Sequence, residues 1–106
     1  MNNLTTVVES IKFSNLKGET VVTSIGNTPR LAGEIVKAEI TLNKKDIEYI
    51  NSRNIRTDIS IYVIPLMYKK AQYNYKRKNE TTIVFTPAAP GDAVWDIEDL
   101  GEENGN

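Results

Sequence analysis

Hydrophobic and polar residues along much of this chain alternate with the two-residue period of strands rather than the 3.6-residue period of helices. Over residues 4–13, Val7, Glu9, Ile11 and Phe13 share one parity, while Val8, Ser10, Lys12 and Ser14 take the other. The β-branched content predicts a strand with Ile11 and Phe13 facing inward. Leu16-Lys17-Gly18-Glu19 punctuates it, and residues 20–25 read as a second strand. Gly26-Asn27-Thr28-Pro29 supplies a turn, because Gly and Asn tolerate positive φ and Pro sets its own.

Residues 33–42 satisfy two periods at once. Leu31, Ile35, Ala38 and Leu42 mark a helix face, whereas Val36, Ala38, Ile40 and Leu42 alternate as in a strand. The β-branched pairs Ile35-Val36 and Ile40-Thr41 favour the strand. Asn43 then suits an N-cap, with Asp46 in the first turn and Ile47 and Ile50 on one side. A short helix is expected over residues 44–53, with Asn54 as its stop. Residues 57–64 read as the clearest strand, with Ile59, Ile61 and Val63 on one face and Pro65 as its end. Residues 68–76 and 81–86 are expected to form a hairpin around Arg77-Lys78-Asn79-Glu80.

The expected fold is therefore mainly β, with five to six strands and one short helix. This order of elements is the connectivity of a small barrel of the OB type. A sheet with one packed helix, or a sandwich-like virion domain, matches the order almost as well. Residues 1–90 are read as one globular β-rich domain and residues 91–106 as an acidic, largely disordered tail. At 106 residues, 40% hydrophobic and 25% charged, the chain holds one modest core.

Composition then removes most chemistry. With no cysteine and no histidine, the chain lacks thiol nucleophiles, the usual general base and the commonest metal ligands. Its serines have no histidine to activate them, and no phosphate-cradling glycine loop is present. The expectation is a non-enzyme that needs no cofactor and no metal. No run approaches the ~18 apolar residues of a membrane span, and the N-terminal residues do not read as a signal peptide. No membrane partner is expected, and the compartment is expected to be cytoplasmic, that of the host if the chain is phage-encoded. The leaning toward Asn, Ile, Lys and Thr fits an AT-rich bacterial or phage genome and says nothing about mechanism. No oligomeric state follows from these residues.

Charge is strongly segregated along the chain. The net charge is −1, yet residues 59–79 carry five cations and no acid, while residues 80–106 carry seven acids and no cation. The cationic stretch interleaves Tyr68, Tyr73 and Tyr75 with Lys69, Lys70, Lys76, Arg77 and Lys78. On an extended strand Tyr73 and Tyr75 share a face about 7 Å apart. That pattern suits single-stranded nucleic acid, with tyrosines stacking on bases and cations on phosphates. The competing reading is a half-buried tyrosine strand at a lysine-protected sheet edge.

In the tail, Trp95, Ile97 and Leu100 stand among Asp92, Asp96, Glu98 and Asp99, a combination that can fold onto a protein partner. Trp95 and Ile97 can equally complete the core as a last strand. The leading expectation is a phage or mobile-element accessory protein that binds single-stranded nucleic acid through the basic aromatic hairpin. The alternatives are a small protein-binding module, such as a phage-encoded inhibitor of a host enzyme or defence complex, and a virion structural or assembly component.

Overall fold

A computed structural model describes residues 4–67 and 73–87. Within them the chain forms α1 (Leu4–Val7), β1 (Val8–Asn15), β2 (Thr20–Thr23) and β3 (Ile35–Leu42). A 3-10 turn at Lys44–Asp46 leads into α2 (Ile47–Ile50) and α3 (Asn54–Val63). A second 3-10 turn, Ile64–Leu66, precedes β4 (Tyr73–Asn79) and β5 (Thr82–Pro87). All pairings are antiparallel, and the five strands make one sheet in the order β2-β1-β3-β5-β4. β2 and β4 stand at its two ends, and no pairing between them closes a barrel among the described residues.

One face of this sheet is apolar. Register places Ile11, Ile40 and Ile83 in one row, and Val21, Phe13, Ala38, Phe85 and Tyr75 in the next. The small Ala38 between two phenylalanines lets their rings fill the sheet's centre, and Tyr75 meets Phe85 edge to face at 5.4 Å. Ile50, Ile55, Ile59, Val63 and Met67 from the helical segment bury into the same core, joined by Leu4 and Val7. The molecule is thus a sheet with a helical layer on one side.

Three irregularities adjust which residues face inward. An extra residue at Glu9 shifts the β1–β3 register, so Val8 and Ile11 are both buried although three apart. The strand consequently starts at Val8, and the expected strand over residues 4–13 begins instead as the helical turn α1. A second shift at the other end of the same pair pairs Asn15 with Ile35 and lets Ile35 and Ala38 both point inward. The third lies in β4 and bears on the site below. The second expected strand is shorter than its pattern, ending at Thr23 rather than residue 25.

The largest correction concerns residues 57–64, which form the greater part of α3 and not a strand. Alternation at Ile59, Ile61 and Val63 competes with the four-residue spacing of Ile55, Ile59 and Val63. The core face of the sheet needs an apolar stripe above it, and the helix supplies one with those three fully buried. Ile61 is then left 61% exposed. Asn54 begins this helix instead of ending the previous one. Asn43 does cap, its side chain accepting from the Lys45 amide, but the helical run that follows is two short pieces ending at Ile50. The last hairpin is also reset: Arg77, Lys78 and Asn79 belong to β4, and the turn is Glu80-Thr81.

The β1–β2 connection is organised by the buried Asn15. Its Oδ1 accepts from the amides of Lys17 and Glu19, and its Nδ2 donates to Glu19 Oε1 and Ala32 O. Gly18 takes the positive φ (87°) that this tight turn requires. Among the described residues no helix is long and apolar enough to cross a membrane.

Candidate functional site

The face of the sheet opposite the helices carries the alternate residues of every strand. Register sets a central row Val22, Lys12, Glu39, Val84 and Lys76, reading from β2 to β4. Beside it run Thr20, Ser14 and Lys37 on one side, and Ser10, Thr41, Thr82 and Asn79 on the other. Strand spacing separates Lys12 from Lys76 by about 14 Å, and Lys37 lies about 7 Å along β3 from Glu39.

Lys78, two residues after Lys76, shares its face by alternation, and the third irregularity falls on it. Arg77 pairs with Ile83, but Asn79 rather than Lys78 pairs with Thr82, so Lys78 is the extra residue of a bulge. Its Nζ reaches Glu39 Oε2 at 2.8 Å, across the intervening strand β5. The Glu39 side chain is only 15% exposed, whereas Lys78 remains 58% exposed. The Lys78 hydrogen bond, helped by the charges of Lys12 and Lys37, holds the Glu39 carboxyl below the usual carboxylate range against a partial desolvation cost. Lys78, Lys12 and Lys37 thus act on one carboxylate, and Lys76 stands two strands away on the same hydroxyl-rich face.

The expected stacking residues are elsewhere. Tyr73 and Tyr75 are 1% and 0% exposed, on the core side of β4. Arg56 of α3 lies over the Tyr75 ring at 5.9 Å, and the ring edge abuts Phe85. Both tyrosines are core residues, and their faces are not offered to a base. Lys76 and Lys78 are on the open face, while Arg77 turns toward the hairpin end and donates to Glu80 O at 2.6 Å. Tyr68, Lys69 and Lys70 lie outside the described residues. So do Asp92, Trp95, Asp96, Ile97, Glu98, Asp99 and Leu100 of the tail.

Lys12, Lys37 and Glu39 were not singled out by motif, yet their signal was present. Lys12 has the parity opposite Ile11 and Phe13, and Lys37 and Glu39 alternate with Ala38 and Ile40. What joins them is the pairing of β1 with β3, a contact that no local pattern encodes.

A second polar contact lies in the helical layer. Tyr49 Oη donates to Asp58 Oδ2 at 2.6 Å, tying α2's end to α3. Burial first, and then this bond to a carboxylate, push the Tyr49 hydroxyl above its ordinary range. It stays protonated and serves as a clamp between helices. No family model, curated protein or solved structure matches this chain.

Proposed function

We propose that this chain is a non-catalytic binding protein that holds single-stranded nucleic acid by its phosphates on the open face of the sheet. The observation that carries the reading is the placement of Lys12, Lys37, Lys76 and Lys78, from three strands, on one face of the sheet. Lysines at such spacings neutralise successive phosphates, and the threonines and serines between them donate hydrogen bonds to phosphate oxygens. A flexible single strand can follow lysines spread over three strands of a twisted sheet, whereas a rigid duplex touches such a face along one line. The reading needs no closed barrel of the OB type, and it replaces base stacking by Tyr73 and Tyr75 with backbone contacts. Recognition is then independent of sequence. Residue usage compatible with an AT-rich bacterial or phage genome is in keeping with a phage or mobile-element accessory.

The test is fluorescence anisotropy of a labelled single-stranded oligonucleotide across a salt series. With four lysines engaged, log affinity should fall against log salt with a slope of about −3. Reversing two charges in a Lys12→Glu, Lys76→Glu variant should remove most binding while the melting transition stays in place. A folded protein that ignores oligonucleotides at low salt, or binding indifferent to the reversal, defeats the proposal. A lysine face that captures an acidic protein surface but no oligonucleotide would favour the protein-binding alternative.

A further inference from the structure

Glu39 is an unexpected residue for the middle of a lysine field. It sits on a central strand, where Glu is a poor sheet former and Thr or Val would pack better. Its carboxylate nonetheless stays at the centre of the patch, 2.8 Å from Lys78 Nζ and opposite Lys12 in the register. We propose that Glu39 is a built-in competitor for the anion, making this face selective for polymeric over single phosphates. The inference rests on the anion-binding reading of the same face.

The argument is one of distance and valency. A lone phosphate on Lys78 meets the carboxylate directly, and one on Lys12 or Lys37, a neighbouring strand position or about 7 Å along β3, lies inside the roughly 10 Å over which salt screens charge. To engage Lys78 it must also displace a partner already bound to it. One phosphate gains too little for that exchange. A strand of linked phosphates meets Lys12, Lys37 and Lys76 around Glu39, so the displacement at Lys78 becomes an intramolecular step with a high effective concentration. The pair is thus closed to small anions and opens to a chain. Glu39 remains ionised throughout the neutral range, because the surrounding lysines hold its proton affinity down.

The experiment compares wild type, Glu39→Gln, Lys78→Gln and the double variant, using a labelled thymidine oligonucleotide of about twelve nucleotides, the length a single-strand groove tracks. Inorganic phosphate serves as competitor. Glu39→Gln should bind the oligonucleotide about three- to fivefold more tightly at low salt, the scale of one freed exposed pair. Its salt slope should stay near the wild-type value of about −3, because the chain engages Lys78 in both proteins. Phosphate should compete measurably with Glu39→Gln and not with wild type. Lys78→Gln should cost less in wild type than in the Glu39→Gln background, a coupling that a merely structural glutamate would not produce. Unchanged or weaker binding by folded Glu39→Gln, with wild type still binding, overturns this inference and leaves the functional reading standing. No binding by any folded variant overturns both. If Glu39→Gln does not fold, Glu39→Thr removes the same charge with a residue that strands favour.

Discussion

The two faces of β4 begin from one stretch of sequence and end in different roles. Tyr73 and Tyr75 point into the core and are shielded from solvent, while Lys76, the next residue, stands on the open face. Read as a string, the tyrosines and cations look like one mixed aromatic and basic patch. The pleat divides them, because adjacent side chains leave opposite sides of a strand and only one side of this sheet is covered. The aromatic residues hold the fold together, and the charge remains for a ligand. Alternation puts a second lysine, Lys78, on the open face two positions after Lys76, and the bulge there sets Asn79 opposite Thr82.

The largest expected effect separating the two faces comes from truncating a buried ring. Tyr75→Ala removes a fully buried ring from contact with Phe85 and Arg56 and should destabilise the fold by about 3–5 kcal/mol in urea denaturation. Lys76→Ala, one residue away, should stay within about 0.5 kcal/mol of wild type. Equal effects at the two positions would mean that β4 does not present one face inward. The same contrast applies to α3. Ile59→Ala should cost about 3 kcal/mol, as a buried isoleucine does, whereas the exposed Ile61→Ala should cost little. A strand over these residues would place both on one face and make the two losses alike.

The smallest expected effect lies on the open face itself. The folded Glu39 carboxyl titrates below its ordinary value of 4.5, so the stability it contributes is complete above that pH and lost as pH falls through the depressed folded value. Wild type should therefore lose slightly more stability than Glu39→Gln between pH 6 and strong acid, measured by urea melts at each pH. A Glu39→Gln variant with the same acid sensitivity as wild type would remove the Lys78–Glu39 pair from the description of that face.

Much of the fold was legible where local pattern and tertiary need agree. β3 emerges from alternation at Ala38, Ile40 and Leu42, and Asn43 caps the turn after it by the chemistry its side chain suggests. The inward placement of Ile11 and Phe13 was also legible. Residues 57–64 misled because Ile59 and Val63 belong to both a two-residue and a four-residue period. The tyrosines misled for a related reason: a ring with a polar tip fits a wet groove or a dry core equally well, and neighbouring lysines do not say which.

By itself the sequence determined a mainly β chain without histidine or cysteine chemistry, and the segregation of its charge along the backbone. It also determined which residues alternate, since side chains of a strand take opposite faces whatever lies beside them. Only the tertiary structure decided which face is covered and which strands are neighbours. Those choices bury Tyr73 and Tyr75, turn 54–63 into the helix that covers them, and gather Lys12, Lys37, Lys76 and Lys78 on the face that holds Glu39. The physical reason is that alternation is a local property of the backbone, whereas burial and strand pairing come from contacts between residues far apart in the chain.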